Sequence, residues 1–115
     1  MKNRDAKIKV CGMTSLEDTL VAVEAGADAV GFIFYKKSPR SVTIKTVCEI
    51  VDELPPFVDA IGIFVNESAE QINKIADRCK LDRVQLHGDE TPAFCKKIQR
   101  RVIKAIRVKD IQSLK

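Results

Sequence analysis

Apolar residues along this chain fall in short dense bursts, separated by stretches where they recur at helical spacing. The bursts Lys7–Cys11, Ala29–Phe34, Val58–Val65, Arg83–His87 and Val102–Val108 predict five β-strands. Most of their positions are apolar, as in "AVGFIF" and "AIGIFV", rather than strictly alternating; that predicts a parallel sheet covered by helices. They recur about every 20–30 residues, the length of one strand–helix unit.

The intervening stretches carry helix signals. Thr14 with Glu17, and Ser68 with Gln71, have the spacing of a capping box, and Thr91 followed by Pro92 is an N-cap with proline at the first helical position. The first helix is expected over Ser15 to Ala25, ending at Gly26. In the second, Ile44, Val47, Cys48, Val51 and Leu54 form an apolar stripe that Pro55-Pro56 ends; Ile72, Ile75, Ala76 and Cys79 form the stripe of the third. Cys48 and Cys79 are therefore expected in the core as small hydrophobes, and Cys95, beside Phe94 and Ile98 in a short fourth helix, is expected to be structural.

Strict strand–helix alternation allows an open doubly wound sheet or a closed (β/α)₈ barrel. "KDIQSLK" at the C-terminus reads as a helix start, with Asp110 as N-cap and Ile111 and Leu114 on one face, and the sequence then stops. A barrel of about 200 residues or more would have about three strands still to come. The expectation is the N-terminal part of a single barrel domain over 1–115, about the first five βα units, cut after the fifth strand.

Composition narrows the function classes. With 115 residues, 45% of them apolar, the chain can build a core, and no apolar run reaches the roughly 20 residues of a membrane span. The start, Met-Lys-Asn-Arg-Asp, lacks the apolar stretch of a secretory signal, so a soluble cytoplasmic protein is expected. The formal charge of +4 is dispersed; Lys36, Lys37, Lys96, Lys97, Arg100 and Arg101 are its densest spots and read as solvated surface. One Tyr and no Trp offer little for stacking nucleic-acid bases, whereas an anionic small substrate suits the positive balance. Four cysteines at 11, 48, 79 and 95 are too widely spaced for a zinc or CxxC redox motif, and the single histidine argues against a metal site.

In either architecture the chemistry gathers at the C-terminal ends of the strands. Those ends carry Cys11-Gly12, the loop "FYKKSPRSV", Val65-Asn66, the run Gln85, His87, Gly88, Asp89, and Arg107. By strand parity Lys7, Lys9 and Cys11 share one face and Ile8 and Val10 the other, so the lysine-bearing face should be the barrel interior or cleft. An ammonium on Lys9 would favour a thiolate at Cys11, the form a proton-abstracting cysteine needs. Position alone leaves an inert buried cysteine equally open. His87 suits a substrate contact or a turn hydrogen bond, and Arg40 suits a carboxylate, a phosphate or plain solvent. Glycines occur singly, without a P-loop or Rossmann pattern.

"KVCGMT", "GADAVGFIFYKKSPRSV", "IGIFVN" and "VQLHGDE", in this order and spacing, resemble the phosphoribosylanthranilate isomerase family of tryptophan biosynthesis, whose fold is a (β/α)₈ TIM barrel. The resemblance covers essentially the whole chain. It implies an Amadori rearrangement of N-(5'-phosphoribosyl)anthranilate by general acid–base catalysis, with no metal or organic cofactor. It implies Cys11 as the base, Arg40 as ligand of the anthranilate carboxylate, and Gln85 and His87 as pocket residues, with Lys9 counted among the substrate contacts. The family's general acid is an aspartate at the end of the sixth strand, and its phosphate loops follow the seventh and eighth. Neither Asp89 nor Asp110 matches that acid, so the 115 residues alone are expected to be inactive. The expected partner is a small molecule, with no nucleic acid or membrane, and open sheet edges would favour self-association of the piece.

Overall fold

The computed structural model describes residues 6–105. Five strands alternate with four helices: β1 Lys9–Val10, α1 Leu16–Glu24, β2 Ala29–Ile33, α2 Ile44–Asp52, β3 Asp59–Phe64, α3 Ala69–Cys79, β4 Arg83–Leu86, α4 Pro92–Cys95 and β5 Arg101–Lys104. All five predicted strands are present; the first four are shorter at their ends than the apolar runs suggest, and the fifth begins one residue earlier than expected, at Arg101, with its expected end at Val108 outside the described residues. Arg107 and the helix start at Asp110, Ile111 and Leu114 lie outside the described residues.

Every strand pairs in parallel with its neighbour in sequence, in the order β1-β2-β3-β4-β5. This order separates the two architectures. A doubly wound sheet reverses its strand order at a switch point, whereas right-handed crossovers that always step the same way put every helix on one face. The result is five consecutive strands of a (β/α) barrel.

The helix-side core follows strand parity. Val30, Phe32, Ala60, Phe64, Val84 and Leu86 point towards the helices and meet Val47, Ile50, Ile72, Ile75, Ala76 and Cys79. Phe34 and Phe64 stack with ring centroids 5.1 Å apart. The opposite, concave face carries Lys9, Gly31, Ile63 and Gln85, the other half of the alternation. Its curvature shows in one contact. Lys9 Nζ on β1 donates to Gln85 Oε1 on β4. In a flat sheet those strands would lie about 14 Å apart, three spacings of about 4.8 Å. The bond spans β2 and β3 because the sheet curls.

Two of the helix starts obey the sequence signals, one has a cap the sequence reading did not name, and one shifts. Ser68 Oγ accepts from Gln71 N at 3.2 Å, and Thr91 Oγ1 from Phe94 N at 3.1 Å. Thr43, not singled out in the sequence, caps α2 through Thr46 N at 3.2 Å. At α1 the cap is Ser15, accepting from Asp18 N at 3.1 Å, and not Thr14. Gly12 N and Met13 N both donate to Gly31 O, at 3.0 and 3.1 Å, so two residues are spent on the turn out of β1 and the helix begins one position later.

Aspartates tie down the N-terminal ends of the strands. Asp28 Oδ2 accepts from Ile8 N at 2.8 Å, Asp82 Oδ2 from Ala60 N at 2.7 Å, and Asp59 pairs with Arg83 at 3.0 Å. Arg100, in the densest basic run, serves the fold as well. Its guanidinium donates to Leu81 O at 2.7 Å and pairs with Asp77 at 2.9 Å, fastening the chain before β5 to the end of α3.

Candidate active site

Cys11 follows β1 directly, and its side chain turns onto the concave face. A Cβ placed on Gly31, the neighbouring position of β2, would stand 3.1 Å from Cys11 Sγ and 3.1 Å from Ile63 Cδ1. The thiol thus occupies the space that the absent side chain of Gly31 leaves over the sheet. Parity reasoning put Cys11 on this face, and the thiol lies there, half-buried.

Gly12 makes the next link. Its φ of +81° is a conformation that side chains resist, and a Cβ there would come within 2.8 Å of Arg40 Cδ and 3.2 Å of Nη1. Arg40 reaches this corner from the turn after β2, where Ser38 N bonds Tyr35 O and Arg40 N bonds Ser38 Oγ. Its side chain therefore lies across the backbone next to the thiol. It is exposed, and among the described residues its guanidinium has no hydrogen-bonding partner. A planar fork of donors in that state suits a carboxylate.

Gln85 lies on β4 and His87 directly after its end, two positions further along the chain. Gln85 is 7% exposed and bridges Lys9 to His87. An ammonium has only donors to offer, so the Gln85 amide must turn its oxygen to Lys9 and its NH₂ to His87 Nε2. In that bond Nε2 accepts, which places the ring proton on Nδ1. One of the three donors of the Lys9 ammonium is engaged in this bridge.

A cleft of about 410 Å³ opens at the ends of β3, β4 and β5, walled by Tyr35, Asn66, His87, Asp89 and Lys104. His87 faces it; Cys11 and Arg40 are not among its walls. A second hollow of about 340 Å³ lies at the N-terminal ends of the strands, among Lys7, Asp28, Phe57, Asp59 and Arg83. There Asp28 and Asp59 are engaged in fastening strands, so the reactive groups and the polar cleft both mark the C-terminal end.

The walls of this cleft hold a clamp that the sequence did not reveal. Asn66, at φ +51°, gives its N–H to Glu90 Oε2 at 2.8 Å and accepts from Asp89 N at 2.8 Å. Lys104 pairs with Glu90 Oε1 at 2.8 Å and also donates to Gly88 O. The Glu90 side chain is 2% exposed. Its burial raises the carboxyl pKa, but the bonds from Lys104, Asn66 N and its own N–H outweigh that and hold it below the ordinary 4.5. Asparagine tolerates the left-handed region, which was the one available signal. Glu90 and Lys104 carried none, because their pairing joins separate elements.

The model of the N-(5'-phosphoribosyl)anthranilate (PRA) isomerase family matches residues 8–115. The chain belongs to this family. Over 108 residues it is 56% identical to N-(5'-phosphoribosyl)anthranilate isomerase of Geotalea uraniireducens and 59% identical to that of Geobacter sulfurreducens, covering 94% of this chain and 53% of each relative. The chain thus spans about half the length of the curated relatives it matches. The crystal structure of the PRA isomerase of Thermotoga maritima superposes with a TM-score of 0.93 at 47% identity, over 95% of this chain and 54% of that one. A PRA isomerase in complex with reduced 1-(o-carboxyphenylamino)-1-deoxyribulose 5-phosphate superposes equally well, with a TM-score of 0.93. The five strands of this chain are thus those of a PRA isomerase barrel. Among its described residues no helix is long and apolar enough to cross a membrane.

Proposed function

We propose that residues 1–115 form the first five βα units of a single (β/α)₈ domain that isomerises N-(5'-phosphoribosyl)anthranilate to 1-(2-carboxyphenylamino)-1-deoxyribulose 5-phosphate, a cytoplasmic step of tryptophan biosynthesis. The observation that carries this reading is the meeting of Cys11 and Arg40 over Gly12, on the strand ends of a family member.

In the proposed mechanism the Arg40 fork holds the anthranilate carboxylate. A general acid protonates the furanose oxygen, and the C1'–O bond breaks to leave a protonated Schiff base. The Cys11 thiolate then takes the C2' proton, giving an enolamine that becomes the ketone. His87 and Gln85 line the pocket, and the Lys9 bridge keeps the His87 Nε2 lone pair occupied. The acid and the phosphate loops, which the family places after strands six to eight, belong to the part of the barrel that this chain does not span. The isolated 115 residues are therefore expected not to turn over.

Loss of substrate fluorescence, followed in a full-length protein carrying this sequence, tests the proposal. Turnover that Cys11→Ala lowers by about 10²–10⁴-fold supports Cys11 as base. A Cys11→Ala enzyme close to wild type would remove it from the mechanism, and absence of any isomerisation by the full-length wild type would remove the reaction.

A further inference from the structure

On the outer layer of the fold, away from the strand ends, α2 and α3 bring two cysteines together. Cys48 Sγ and Cys79 Sγ lie 3.2 Å apart. Each also donates to a backbone carbonyl of the facing helix: Cys48 Sγ to Arg78 O at 3.6 Å and Cys79 Sγ to Ile44 O at 3.7 Å. The two thiols are thus tied to each other's helices. Closing the gap to a sulfur–sulfur bond asks for a relative movement of about 1 Å.

We propose that Cys48 and Cys79 are a thiol–disulfide exchange site that low-molecular-weight disulfides oxidise to a cross-link between α2 and α3. The two sulfurs have different parts. Cys79 is 1% exposed, whereas Cys48 is half-buried. Burial, first of all, and then the neighbouring Cys48, push the Cys79 thiol up to about 12, and Cys79 is closed off from solvent, so the more accessible Cys48 is the sulfur that attacks first. The Cys48 thiolate displaces one thiolate from the small disulfide, forming a mixed disulfide. Cys79 then gives its proton to the departing thiolate and attacks Cys48 Sγ; the second small thiolate leaves. Two cysteine thiols are oxidised, one small disulfide is reduced to two thiols, and both protons end on them.

The bond would join positions 31 residues apart in the chain. It would restrict the unfolded state and raise the unfolding temperature by several degrees. Because α2 and α3 cover the sheet on the side opposite Cys11 and Arg40, it would leave catalysis unchanged. This inference does not depend on the proposed reaction.

The test exposes the full-length protein to glutathione disulfide and maps its peptides without reduction. The expected product is a linked pair of peptides containing Cys48 and Cys79, lighter by two hydrogens and reversed by dithiothreitol, with the raised unfolding temperature lost in Cys48→Ser. In Cys79→Ser the reaction should stop at a Cys48–glutathione adduct, while in Cys48→Ser residue Cys79 should stay unmodified. Recovery of Cys48 and Cys79 from the wild type as unlinked peptides, whether free or separately glutathionylated, would overturn the proposal. A glutathione adduct on Cys79 in Cys48→Ser would overturn the assigned order of attack.

Discussion

A methyl group at position 31 would stand 3.1 Å from the Cys11 sulfur and 3.1 Å from Ile63 Cδ1, both closer than ordinary contact. Of these neighbours the thiol stands at the end of a two-residue strand, whereas Ile63 is locked in the middle of the sheet. Gly31→Ala should therefore push the Cys11 thiol aside by a few tenths of an ångström and lower kcat several-fold with KM nearly unchanged, because proton transfer depends steeply on the placement of the base. Steady-state kinetics on the full-length enzyme reads this directly, and an unchanged kcat would refute the placement of the thiol. Gly12→Ala acts on the other partner. It forces a side chain to φ +81° and into Arg40 Cδ, so the expected outcome is a loss of about 1 kcal/mol in stability together with a raised KM. Sequence parity placed Cys11 on the right face, because the period of a strand is fixed. That Arg40 would fold back over Gly12 was outside its reach, since the path of a turn depends on what it packs against.

Among the elements, the loops after β3 and β4 and the end of β5 are held together by Asn66, Glu90 and Lys104. The folded pKa of Glu90 lies below its unfolded value. Its contribution is thus complete above about 4.5 and is lost as pH falls through the lower folded value. Glu90→Gln is expected to cost about 1–3 kcal/mol at neutral pH by leaving half-buried polar partners unmatched. The difference in unfolding midpoint between wild type and Glu90→Gln should shrink as the medium is acidified; a difference independent of pH would show that charge is not what the clamp uses. Helix ends give a more local prediction. Ser68→Ala removes the acceptor of Gln71 N and should cost about 1 kcal/mol in chemical denaturation. The caps at Ser68 and Thr91 were legible because each is a contact within four residues. The shift from Thr14 to Ser15 was not, since it follows from a bond between the turn at Gly12 and Gly31 on another strand.

At the scale of the molecule, β1 and β5 are the edges of the sheet among the described residues, and each presents an unpaired side. The 115 residues alone are expected to associate through them, with a mass by light scattering that rises with concentration; a stable monomer at every concentration would contradict this. The same preparation should show no isomerisation, whereas the full-length protein should. The positions of the strands and helices, the parallel sheet and the candidate residues at the strand ends were legible in the chain alone, because apolar period and turn residues are local properties. Four motifs in register carried the family. The sequential order of the strands on a curled sheet, the corner shared by Cys11 and Arg40, the turn of Lys9 to Gln85 and the facing of Cys48 and Cys79 emerge with the packing. Each of these joins residues from separate elements, and such contacts depend on how the elements pack rather than on the spacing of residues along the chain.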